Sequence, residues 1–177
     1  MKAVNNYPDV LLIGPTTIKR QTPINENVEE QDLFTTVLSA QNLDLQNIIG
    51  NRLLWKLQEL IFTANINNIL YIDYKILLDE YITPFLCAIV TFKCMPIIQY
   101  KLRNKGVVTT SDEHVNNAQY SEMKNLIEIY RDEATQYANL LKKFLCKNRS
   151  AYPELNCDKD TIICPDLEKQ YATAWVI

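Results

Sequence analysis

The stretch from Gln41 to Ile61 constrains this chain more than any other. Leu45, Ile48 and Ile49 lead into Gly50, and Leu53, Leu54, Leu57, Leu60 and Ile61 lead away from it at helical spacing. Glycine reaches positive φ without a Cβ clash, so the pattern predicts one helix ending at Gly50, a tight corner, and a second helix beginning there. Two apolar faces joined by so short a link must close on each other or on a shared third element.

Around this hairpin the chain divides into three. Residues 1–27 hold Pro8, Pro15 and Pro23, no helical period, and one apolar run from Val10 to Ile13. They predict an extended arm with one short strand. Asn27 with Glu30 has the spacing of a helix cap, and Phe34, Val37, Leu38, Gln41 and Leu45 continue one face to the corner. The second helix runs to about Thr63, where an asparagine-rich break follows. A third covers about Ile69 to Ile82. Thr83-Pro84 has the form of a cap and first turn, so a fourth helix is predicted from there, kinked at Pro96 and ending at Gly106. The segment 106–117 predicts a loop or short hairpin strand. Met123, Ile127, Tyr130, Ala134, Tyr137, Leu141, Phe144 and Leu145 hold one stripe over a last helix of about 118–147. The expected fold is all-α: a bundle of four to five helices over residues 28–149, an extended N-terminal arm over 1–27, and an irregular C-terminal tail over 150–177.

Composition removes several classes of chemistry. With three glycines and one histidine in 177 residues, no phosphate loop, dinucleotide fingerprint or two-histidine zinc motif can be written. His114 stands in a polar loop beside Asp112 and Glu113, where solvation is the expected state. The acid pairs Glu29-Glu30, Asp79-Glu80 and Asp132-Glu133 sit on predicted helices and point apart, unlike a glycosidase pair. Basic residues gather at two predicted helix ends, Lys101, Arg103 and Lys105, then Lys142, Lys143, Lys147 and Arg149. Complementarity to the helix dipole explains them better than phosphate contact, since the formal net charge is −3. The expectation is therefore no enzyme, no cofactor and no metal. The five cysteines form no CxxC pair. Free thiols in a reducing compartment are the favoured reading, with a local Cys157–Cys164 disulfide as the alternative. The opening residues lack a signal-peptide pattern, and no run is long enough to span a membrane, so synthesis in a cytoplasm is expected.

Both ends carry large apolar groups without a helical face of their own. Tyr7, Leu11 and Ile13 in the arm, and Tyr152, Tyr171, Trp175 and Ile177 in the tail, are the candidate interface residues. A chain ending at Arg149 is expected to fold but to lose its partners.

One further pattern lies in the order of short segments. Thr22 to Val28 (TPINENV), Ala40 to Leu53, Tyr74 to Leu86, Lys105 to Val107, Tyr137 to Leu145 and Asn148 to Pro153 together resemble head–tail connector proteins of tailed bacteriophages. The likeness is to the branch of Bacteroides and crAss-like phages. The resemblance covers most of residues 22–153 and leaves the tail outside. It implies a structural virion protein: a helical-bundle subunit of a closed ring of about twelve copies beneath the portal protein. Such a ring extends the DNA channel, meets neighbouring tail or ring proteins, and lets genomic DNA pass without sequence-specific binding. No active site, cofactor or membrane contact comes with the family. The competing class is a cytoplasmic helical protein-binding adaptor, expected to be a monomer or dimer.

Overall fold

A computed structural model describes residues 6–24, 28–103, 106–109, 120–157 and 161–171. The architecture is an all-α bundle with irregular ends. Helix α1 spans Pro15–Gln21, α2 Glu30–Ser39, α3 Gln46–Phe62, α4 Ile72–Ile76, α5 Thr83–Gln99 and α6 Tyr120–Lys147. A two-stranded antiparallel hairpin, β1 Tyr100–Arg103 and β2 Gly106–Thr109, projects between α5 and α6 with Tyr100 opposite Thr109.

The corner falls at Gly50, whose φ of 78° and ψ of 162° interrupt α3. That region is accessible essentially only to glycine. On both sides the predicted apolar positions are buried: Leu45, Ile48, Ile49, Leu53, Leu54, Leu57 and Leu60. Between α2 and α3 the chain never leaves the helix. It widens to π geometry over Ala40–Leu45, and the Gln46 N–H donates to Gln41 O, five residues back.

A second π segment corrects the expected start at Thr83-Pro84. Thr83 is helical (φ −59°, ψ −49°), and its N–H donates to Leu78 O. From Ile72 through the π segment Leu77–Ile82 to Gln99 the chain is one composite helix. A proline inside a helix removes one hydrogen bond and crowds the carbonyl four residues back. The wider π turn just before Pro84 relieves that crowding, so the helix passes the proline instead of starting at it. The far end also differs from expectation. The helix stops at Gln99, and Lys101 and Arg103 belong to β1 instead of a last helical turn. The predicted cap Asn27, together with Lys105 and His114, lies outside the described residues, and the residue flanking α2 is Glu29.

The first segment needs the largest correction. Expected as an extended arm with one strand, it contains α1 and places Leu12, Ile13, Ile18 and Ile24 in the core. Pro15 at the first helical position starts α1. Ile18, flanked by threonines and basic residues, then supplies one apolar contact that is fully buried. So short a helix carries too little periodicity to register in the sequence.

Helix α6 lies against α5 through Ala134, Ala138, Leu141 and Leu145, all buried. The two alanines are small enough to let the α5 and α6 backbones approach closely, and Phe85 to Phe92 of α5 are buried all round.

Candidate functional site

Four polar side chains buried in this bundle, Gln41, Asn51, Gln58 and Lys142, pair with the backbone of the chain's two ends. On the N-terminal side Gln41, fully buried in the first π segment, accepts from the Leu12 N–H at 2.9 Å and donates to Val10 O at 3.0 Å. Gln58, one helix later, donates to the same Val10 carbonyl at 3.0 Å. The two amides thus pair with the arm's backbone as a neighbouring strand would. Burial demands such pairing, since an unmatched amide in the core costs about 1–3 kcal/mol.

On the C-terminal side the tail runs over Gly50. The kink frees the Asn51 N–H from the helical ladder, and Ile163 O accepts it at 3.1 Å. The Asn51 side chain returns the contact, its Oδ1 accepting from the Ile163 N–H at 3.0 Å. The Asp166 N–H donates to Asn47 O at 3.2 Å, and the Arg52 guanidinium donates to Asn156 O at 3.2 Å. The approach is close enough that a Cβ on Gly50 would lie 2.9 Å from Pro165 Cδ and 3.1 Å from Ile163 O. Glycine at this position therefore serves both the kink and the docked tail. Cys157 and Cys164, seven residues apart, are disulfide-bonded, which corrects the reading of five free thiols. Cys87 and Cys94 are buried free thiols, and burial pushes Cys87 up to about 11, so it stays protonated.

Farther along, the tail reaches α6. Lys142, 5% exposed, donates to Lys169 O at 2.8 Å, and burial lowers its pKa. This removes Lys142 from the expected basic helix end, where Lys143, Lys147 and Arg149 remain exposed. The Tyr171 N–H donates to Asn139 Oδ1, its ring meets Phe85 edge-on at 5.8 Å, and its hydroxyl donates to Asp44 at 3.1 Å. Asp44 also pairs with Lys93. The start of the tail closes an aromatic cluster. Tyr152 packs edge-on against Tyr74 at 5.5 Å and donates to Asp73 O, while Tyr74 donates to the Glu154 carboxylate at 2.9 Å. Phenols 74, 152 and 171 are all raised in pKa, first by burial and then by the nearby carboxylates or, for Tyr152, by Asp73 and Tyr81.

These contacts relocate the candidate interface. Tyr7 stacks on Phe62 at 4.6 Å, Leu11 packs on the core, and Ile13 is 4% exposed. Tyr152 is 1% exposed and Tyr171 is held on α5 and α6. Leu11, Ile13, Tyr152 and Tyr171 therefore pack on their own core, while Tyr7 lies at the surface on the exposed Phe62. Trp175 and Ile177 lie outside the described residues. What the sequence did not single out are two exposed apolar surfaces. One is the turn after α3, where Phe62, Ile69, Leu70 and Ile72 are exposed, Leu70 at 79%. No charged residue occurs from Leu60 to Ile72. The other is on α6, where Leu126, Ile129 and Leu140 are exposed and fall within about 60° of one another at 3.6 residues per turn.

A groove of about 370 Å³ opens between the end of α1, α5 and α6, lined by Thr22, Pro84, Cys87, Thr91, Tyr130 and Tyr137. Among the described residues no group of three or more His, Cys, Asp or Glu side chains could hold a metal ion. Asp79 pairs with Lys75 and Asp132 with Arg131, as expected for solvated helix faces. Among the described residues no helix is long and apolar enough to cross a membrane.

The fold and its buried polar contacts define an all-α bundle whose own ends are packed around one kinked helix. The chain belongs to a family of unknown function (DUF6712), whose model matches residues 45–162. The matched span includes Gly50, Asn51 and Tyr152 and stops one residue short of Ile163. No curated protein and no solved structure matches the chain.

Proposed function

We propose that this chain is a structural subunit of a head–tail connector ring in a tailed bacteriophage, made in the host cytoplasm and incorporated into the virion. The observation that carries the reading is the pair of separate exposed apolar surfaces, Phe62 with Ile69, Leu70 and Ile72, and the α6 stripe of Leu126, Ile129 and Leu140. A head-to-tail ring requires two different faces on every subunit, and a closed ring covers both. The sequence resemblance supports the same reading. Its quoted residues Gln41, Leu45, Ile48, Gly50 and Leu53 are the ones buried at the kinked corner, where a shared fold would be specified.

In this proposal copies of the chain meet through those surfaces, and the portal protein and the next tail component sit above and below. The experiment is light scattering coupled to size exclusion, with electron microscopy, on the chain alone and mixed with its portal. A large discrete ring in either sample is expected, and Leu70→Asp or Ile129→Asp should abolish it while leaving the helical content unchanged. A monomer or dimer in both samples would instead favour a helical adaptor module.

A further inference from the structure

The C-terminal tail lies on the body through backbone contacts at the Gly50 corner, and one exposed covalent bond lies beside them. Cys157 and Cys164 are both exposed, and Cys164 stands between Ile163 and Pro165, the two residues that reach Gly50. Ile163, next to Cys164, makes the reciprocal pair with Asn51, and Pro165 sits against the missing side chain of Gly50. Cys157 follows Asn156, whose carbonyl is held by Arg52. The bond therefore joins two points that rest on neighbouring residues, Arg52 and Asn51, just past the corner.

We propose that the Cys157–Cys164 disulfide is a redox-controlled latch that keeps residues 161–171 docked on the Gly50 corner and α6. An exposed disulfide is open to attack by a thiolate, whereas the thiols Cys87 and Cys94 are buried. The reductant is a dithiol, or two molecules of a monothiol of the glutathione class. Its thiolate attacks one sulfur, the intramolecular S–S bond breaks, and a second thiolate resolves the mixed disulfide. Two electrons and two protons pass to the protein, leaving two cysteine thiols and one disulfide on the reductant. Without the cross-link the tail must hold its place through the hydrogen bonds at Asn47, Asn51 and Lys142 and the contacts of Tyr171, and its loop regains the freedom the bond removed. Opening frees the Asn51 N–H and amide, the Asn47 carbonyl and the Lys142 ammonium together, because the tail supplies a partner to each.

Hydrogen exchange of the full chain, oxidised and after reduction by a phosphine, tests the latch in a Cys146→Ser background that removes the exposed free thiol. Peptides covering 46–52 and 161–171 should exchange about tenfold or more faster in the reduced sample, with α5 and the middle of α6 unchanged. The double variant C157S/C164S should match the reduced parent and ignore the phosphine. Equal protection of the tail in both states would overturn the proposal. So would a uniform loss of protection across α5 and α6, which would make the bond a staple of the whole fold and not a latch.

Discussion

At Gly50 two requirements meet in one residue. Its φ of 78° with ψ of 162° is a conformation that costs other residues about 1–3 kcal/mol. Pro165 and Ile163 fill the space a side chain would occupy. Gly50→Ala should therefore destabilise by about 2–4 kcal/mol, measured by denaturant melts, with the tail's amides losing protection first. A variant as stable as the parent would mean that the kink relaxes without strain. The phenols of Tyr152, which is buried, and of Tyr74 and Tyr171, which are half-buried, set a second expectation. Their folded pKa values lie above the ordinary value of about 10, so in alkali the unfolded chain releases protons that the folded chain keeps. Stability should be unaffected by these groups below pH about 10 and fall as pH rises beyond it. Lys142, whose folded pKa is lowered, acts with the opposite sign as pH rises, one group against three. Thermal melts across that range, with phenolate absorbance as the second signal, check the direction; rising stability would contradict it.

Among the elements, the two helices flanking the corner show what helical period reveals. Leu54 and Leu57 are 1% and 0% exposed, and truncating either to alanine should cost about 2–5 kcal/mol. Unchanged melting curves would remove that face from the core. Those positions were legible because a 3.6-residue stripe is a property of sequence alone, as it was for α6. The π segments were not. Each is six residues long, too short a run for a change of period to show, so Ala40–Leu45 passed as ordinary helix and Thr83-Pro84 as a helix start. Helix α1 was missed for a different reason. Seven residues carry only one buried side chain, Ile18, and its burial comes from tertiary contacts. Spacing put Gln41 on the buried face, but the backbone clamp made by Gln41 and Gln58 gave no signal, because no motif marks a glutamine that pairs with backbone.

Across the whole molecule, the described parts of both ends pack on their own bundle, the reverse of what the sequence leads one to expect. Tyr7, Leu11, Ile13, Tyr152 and Tyr171 lie outside any helical pattern, and sequence alone gives such residues no place in a bundle. The bundle has such places, since four or five helices of unequal length leave channels along their seams. Tyr152 and Leu155 fill one, at 1% and 0% exposure. A chain ending at Arg149 would lose both, at about 2–5 kcal/mol for each large side chain. It would also lose the Ile163 pair on Asn51 and the acceptor that buries Lys142. Against a total stability of about 5–15 kcal/mol, that loss should abolish the cooperative melt and the near-ultraviolet circular dichroism of the buried aromatics. A parent-like melt for this truncation would return the tail to the role of a dispensable arm. Ending the chain at Tyr171 is the companion experiment, since it removes Trp175 and Ile177 and keeps every tail contact described above. That chain should melt as the parent does. Any loss of assembly it shows can then be assigned to the last six residues as a contact surface, and not to the stability of the body.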